Sequence, residues 1–67
     1  MLLNPLRAYR IERGLSLSDL AQSAHMSRAV LAAVEDGDRF LSREQAIDIA
    51  QALRISLDEL TPYIGNE

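Results

Sequence analysis

The chain has no cysteine and no lysine, a single histidine, no tryptophan, and only two tyrosines and one phenylalanine among its 67 residues. Without cysteine there are no disulfides and no thiolate metal sites, and one histidine cannot assemble a zinc site. No apolar run approaches the roughly 20 residues that span a bilayer. The opening MLLNPLRAYR carries too short an apolar stretch for the hydrophobic region of a signal peptide. The glycine contexts RGLS and EDGD match none of the phosphate-cradling patterns, and no nucleophile–base pair or metal cluster is present. These absences speak against an enzyme, against any cofactor and against a membrane protein, and leave the cytoplasm as the expected location. No alternating run of β-branched residues argues for strands.

The length bounds what remains. Sixty-seven residues make one small domain, expected over 1–67, which buries only about 60% of its unfolded surface and gains from an oligomeric partner. Seven basic residues against ten acids leave a net charge of −3, unlike the basic balance of many nucleic-acid binders. The distribution is uneven. Arg7, Arg10 and Arg13 lie in the first segment, Arg28, Arg39 and Arg43 flank the middle, and Asp58, Glu59 and Glu67 gather at the far end.

Capping chemistry marks five helix starts. Asn4 with Pro5 opens the first, since proline is tolerated at the first helical position. Ser16 with Asp19 is an acidic near-match to the capping box, while Ser42 with Gln45 and Ser56 with Glu59 match it fully. Ser27 caps the third. The apolar spacing agrees: Leu17, Leu20, Ala21 and Ala24 lie on one helical face, and Ala46, Ile49, Ala50 and Leu53 repeat the pattern. Val30, Leu31 and Val34 form the inward stripe of the third segment. The expected helices span about 5–13, 17–24, 28–35, 43–53 and 57–61, an all-α class. Gly14 and Gly37 sit where a left-handed residue closes a helix. His25 and Arg54 stand at similar stops without glycine, where such a conformation costs about 1 kcal/mol; His25 is read as a tolerated C-terminal cap rather than a ligand or pH sensor.

The second and third helices with their short break, SLSDLAQSAHMSRAVLAAVEDG, have the layout of a helix-turn-helix. From Leu6 to Leu60 the chain resembles the Cro/C1-type helix-turn-helix family of phage repressors and bacterial regulators. The matching pieces are RIERGLS, DLAQSAHMS, VEDG and IAQALRISLDEL. The resemblance implies a compact five-helix, lambda-repressor-like fold, an ion pair between Arg10 and Glu35, and core roles for Leu20, Ala21, Met26, Leu31 and Val34. Arg10 also falls on the inward face of the first helix with Leu6 and Tyr9.

The third helix raises the functional question. At 100° per residue Arg28, Ala29, Ala32, Ala33 and Asp36 turn away from its core stripe. In relatives that bind operators, the counterparts of Arg28, Ala29 and Ala33 touch base edges. Arg28 suits a bidentate contact to guanine, worth about 1–3 kcal/mol of discrimination, and the alanines suit thymine methyls. Backbone contacts are expected from Ser16, Ser18, Ser27, Arg39 and Arg43. Two substitutions thin this surface: Leu17 stands where the family often has a DNA-reaching glutamine and is read first as part of the apolar stripe, and Asp36 replaces a frequent asparagine. Neutralising two or three phosphates per subunit gives a dimer a salt slope of about −4 to −5.

The leading reading is a sequence-specific DNA-binding regulator, a repressor or autoregulator on a palindromic operator, nucleoid-associated when bound. The competing reading is a protein-interaction module of antitoxin or antirepressor kind, in which Leu17, Ala29, Ala32 and Ala33 form an apolar patch for a partner. The chain ends soon after the fifth helix, so a homodimer is expected to use the domain itself. Tyr63 and Ile64 are the candidate contacts, with folding back on the first helix as the alternative. Leu2 and Leu3 pose the same question.

Overall fold

The computed structural model describes residues 5–65; Leu2, Leu3 and the proposed cap Asn4 lie outside them. Four α-helices, α1 (Pro5–Glu12), α2 (Leu17–Ser23), α3 (Arg28–Glu35) and α4 (Arg43–Leu53), precede a 3-10 helix, η1 (Leu57–Tyr63). The only β-type pairing among the described residues is an isolated parallel bridge between Leu41 and Ile64.

Local chemistry accounts for the helix starts. Ser16 and Asp19 close a full capping box: the Ser16 side chain accepts from the Asp19 N–H at 3.0 Å and Asp19 accepts from the Ser16 N–H at 3.2 Å. A shorter aspartate therefore does the work usually given to glutamate. Ser42 and Gln45 form the second box, and Ser27 accepts from the Val30 N–H at 3.1 Å.

The expected box at Ser56 and Glu59 does not form. Ser56 accepts instead from the Asp58 N–H at 3.2 Å, and the Glu59 carboxylate accepts from the Tyr9 hydroxyl of α1. The physical reason is the segment's tighter winding, with Glu59 N–H bonded to Ser56 C=O and Ile64 N–H to Thr61 C=O, three residues back. Pro62, lying inside η1, has no N–H and a ring that would strike the carbonyl four residues earlier in an α-helix. The segment runs to Tyr63 rather than stopping at 61.

All four α-helices stop in one way. The residues just past them, Gly14, His25, Gly37 and Arg54, have φ of 68°, 56°, 84° and 58°. Each donates its N–H three residues back, and the next residue donates five back, as in Met26 to Ala21 at 3.0 Å and Ile55 to Ala50 at 3.0 Å. This is the Schellman arrangement, which satisfies the last free carbonyls. At His25 and Arg54 it is achieved without glycine.

The core lies where the helices converge. Leu6, Leu20, Ala21, Ala24, Leu31, Val34, Leu41, Ala46, Ile49, Ala50, Leu53 and Leu60 are buried. Met26, Leu17, Tyr9, Tyr63 and Ile64 are half-buried around that cluster, and so is Val30. α2 packs on α3 and on α4, and η1 packs on α4, so the α2–turn–α3 unit rests on a support that leaves one side of α3 uncovered.

The two ends of the described chain meet. The Tyr63 hydroxyl accepts from the Leu6 N–H at 3.0 Å, satisfying one of the donors left open at the start of α1. The Leu41 N–H donates to Tyr63 C=O at 2.6 Å and the Gly65 N–H to Leu41 C=O at 2.9 Å.

Candidate nucleic-acid interface

The sequence of α3 divides its faces. Leu31 and Val34 are fully buried and Glu35 is 4% exposed, so the helix is pinned through this side. Arg28 and Ala29 are exposed, Ala32 and Ala33 half-buried, and Asp36, the C-cap residue, exposed. Ala33 is thus more recessed than the helical period alone implies. Because Ser27 caps the helix, Arg28 is its first residue and projects from the end where N–H groups and the positive pole of the helix dipole favour anions.

Leu17, at the start of α2, joins Arg28, Ala29 and Ala32 in lining a shallow depression. Leu17 also packs against the core, so it has both the stripe role read from its spacing and a place at the rim of the exposed face.

The proposed backbone-contacting residues are all exposed: Ser16, Ser18, Ser27, Arg39 and Arg43. Ser16 and Ser27 accept from helix N–H groups through their side-chain oxygens, which leaves each hydroxyl proton free to donate. They mark the starts of α2 and α3, while Arg39 and Arg43 flank the α3–α4 connection.

Arg7 and Arg10 of α1, and Arg13 just past its end, are engaged in contacts within the protein. Arg10 donates through Nε to Glu35 Oε2 at 2.6 Å, through Nη2 to Oε1 at 3.0 Å, and through Nη1 to Leu15 C=O at 3.0 Å. Arg7 donates through Nε to Glu35 Oε1 at 3.1 Å and through Nη2 to Asp36 Oδ1 at 2.9 Å. Arg13 donates to the Leu53 C=O at the end of α4 and lies 5.6 Å over the Tyr9 ring, within cation–π range. Burial alone would raise the Glu35 pKa, but hydrogen bonds from Arg10 and Arg7 overcome it and hold the carboxyl below its ordinary 4.5. Hydrogen bonding to Glu35 raises the pKa of both arginines.

Arg7 was the residue missed in sequence. Its only signal is the spacing of Arg7, Arg10 and Arg13 at i, i+3, i+6, which puts Arg7 and Arg10 on one side of α1. Arg28, Arg39, Arg43 and Arg54 have no ion pair among the described residues. Three of these four are the arginines assigned to DNA.

Tyr63 and Ile64 are both half-buried within the protomer, Tyr63 through its bond to Leu6 and Ile64 through its bridge to Leu41. Ile64 borders a second cleft shared with Ser42, Arg43, Leu57, Asp58 and Thr61, and Phe40 nearby is 63% exposed. Among the described residues no group of three or more His, Cys, Asp or Glu side chains is placed to hold a metal ion, and no helix is long and apolar enough to cross a membrane.

A model of the helix-turn-helix family matches residues 6–60. Among solved structures, the chain is similar to the SinR protein of a SinR protein–SinI protein complex. The TM-score is 0.80 at 27% identity, over 91% of this chain and 60% of that one. The chain therefore spans less than two thirds of that relative's length. No curated protein matches it. With a matched family model over most of its length, and α2, the turn and α3 laid out as a helix-turn-helix, the chain belongs to the Cro/C1-type helix-turn-helix family.

Proposed function

We propose that the protein is a sequence-specific regulator, a repressor or autoregulator, that binds a palindromic operator as a homodimer with α3 in the major groove. The observation that carries this reading is the outer face of α3, where Arg28 stands exposed, with no ion pair among the described residues, above a floor of small side chains. Arg28 reads guanine through O6 and N7, and Ala29 lies against a thymine methyl, with the more recessed Ala33 contributing at closest approach. Ser16, Ser18, Ser27, Arg39 and Arg43 fix the register on phosphates. The protein works in the cytoplasm, on the nucleoid when bound. Fluorescence anisotropy against a random-sequence DNA pool at two salt concentrations tests the reading. Binding at low salt with a slope of about −4 to −5 is expected, and Arg28→Ala should flatten the sequence preference. No binding at low salt would sink it; an unchanged preference in the variant would remove Arg28 as the specificity residue.

Dimerisation is assigned to the C-terminal edge. Tyr63 is engaged within its own protomer, so Ile64 beside the exposed Phe40 takes the larger share of the contact. A light-scattering dilution series on Ile64→Asp should show dissociation at higher concentration than wild type, and an unaffected dimer refutes the assignment.

A second reading has one specific observation behind it: the apolar depression of Leu17, Ala29 and Ala32; the similar SinR protein was itself solved in a complex with the SinI protein. In that reading the depression receives an apolar side of a partner protein. Leu17→Gln separates the two, because a neutral amide in the depression weakens such docking without adding a charge beside Arg28, so the Arg28-dependent DNA preference should remain.

A further inference from the structure

We propose that Arg7 is an electrostatic latch for DNA binding, a positioning residue that holds the Asp36 carboxylate off the reading surface of α3; the inference rests on the DNA-binding reading above. Asp36 follows Ala29 by seven residues, which at 100° each falls about 20° short of two turns. The acid therefore shares the outward direction of Ala29 and sits between Ala32 and Ala33. It stands at the C-terminal pole of the helix, where carbonyl groups already gather negative charge, and the exposed Asp38 follows closely. Left to itself it would face DNA phosphates with a like charge.

The structure assigns it a cation instead. The Arg7 guanidinium spans two carboxylates, Nη2 to Asp36 Oδ1 at 2.9 Å and Nε to Glu35 Oε1 at 3.1 Å. A surface ion pair between two free side chains is worth little, because both must be ordered to make it. Here the ordering has a fixed anchor. Glu35 is nearly enclosed and is gripped on both oxygens by Arg10, so the Nε leg of Arg7 is held against a stationary carboxylate and its other leg is aimed at Asp36. The planar fork is what permits two legs at once, and a lysine ammonium has no equivalent geometry. Arg7, Arg10, Glu35 and Asp36 sum to zero charge, which removes the end of α3 from the repulsive balance of a chain whose net charge is −3.

The test is a double-mutant cycle on DNA affinity, with binding and urea midpoints recorded for every variant. In water a unit charge about 10 Å from a phosphate changes affinity about twofold. Losing the cation and releasing the anion together should therefore weaken each half-site about fourfold at low salt. Arg7→Ala is expected to show that loss, Asp36→Asn to bind at least as tightly as wild type, and the double variant to return to within about twofold of wild type. Arg7→Lys keeps the charge but loses the fork, should fall between, and carries the test if Arg7→Ala does not fold. Equal losses from removing Arg7 with and without Asp36 overturn the latch, as does a loss that follows the urea midpoint and is not rescued by Asp36→Asn. Wild-type protein that fails to bind DNA at low salt overturns the DNA reading itself and the latch with it, an outcome distinct from binding without coupling.

Discussion

Replacing Glu35 with glutamine changes almost nothing in shape and removes the charge on which α1 and α3 are joined. The Glu35 side chain is 2% exposed, Arg10 13% and Arg7 44%. Glutamine offers one acceptor oxygen where three N–H donors converged, and its amide NH2 then faces a guanidinium donor. Arg7 can turn to water, but the more enclosed Arg10 is left with the single glutamine oxygen and the Leu15 carbonyl. Breaking a buried pair by removing one partner costs about 3–5 kcal/mol; Arg10's remaining exposure and that carbonyl place the loss near the low end, about 3 kcal/mol. Domains of this size have roughly 0.05–0.15 kcal/mol of stability per residue, or about 3–10 kcal/mol in all. The substitution therefore removes a third of the total or more. Urea unfolding followed by helical circular dichroism at neutral pH should show a lower midpoint at unchanged slope, and Tm should fall by about 12–24 °C.

The pH dependence supplies a second arm. The folded-state pKa of Glu35 lies below its ordinary 4.5, so its contribution is fully present above that value and is lost as pH falls through the folded-state value. The stability gap between wild type and Glu35→Gln should therefore be constant near neutrality and shrink in the acid range below 4.5. A variant within about 0.5 kcal/mol of wild type at neutral pH, or a gap that does not move with acid, refutes the reasoning.

Two further outcomes follow from the helix ends. Arg54→Gly should raise the urea midpoint by the equivalent of about 1 kcal/mol, because Arg54 holds φ 58° where glycine carries no Cβ penalty; no gain would show that the Arg54 side chain compensates elsewhere. Tyr63→Phe removes the acceptor for the Leu6 N–H and should cost about 1 kcal/mol. It should also speed hydrogen exchange of the Leu6 amide, and unchanged exchange there refutes the capping role.

What was legible in the chain follows the range of each interaction. Ser16–Asp19 and Ser42–Gln45 act across three residues, and both boxes were readable from spacing. Glu59 was misassigned because its partner, Tyr9, lies 50 positions away, and Pro62 tightened the segment around it. The Arg10–Glu35 contact came from family resemblance. Arg7 with Glu35 and Asp36 spans 28 and 29 positions, and no local pattern marks it. The face of α3 was readable from helical period, but the recession of Ala33 depends on how closely neighbouring elements approach, which period does not encode. Which arginines remain for DNA likewise depends on the long-range ion pairs and carbonyl contacts that engage Arg7, Arg10 and Arg13, which no local spacing encodes.

The bond between Tyr63 and Leu6 joins positions 57 apart in sequence. In topological terms the described chain is a ring with a single nick, closed through one hydroxyl. The ends of the described chain lie close enough for a short linker, so a circular permutant with a new break between Asp38 and Arg39 would keep the Leu6–Tyr63 bond and the Leu41 bonds to Tyr63 and Gly65. The same closure means that the chain enters the described residues at 5 and leaves them at 65 from one shared corner. Two bulky attachments, joined directly at residues 5 and 65, would compete for that space and strain the contact that closes the ring.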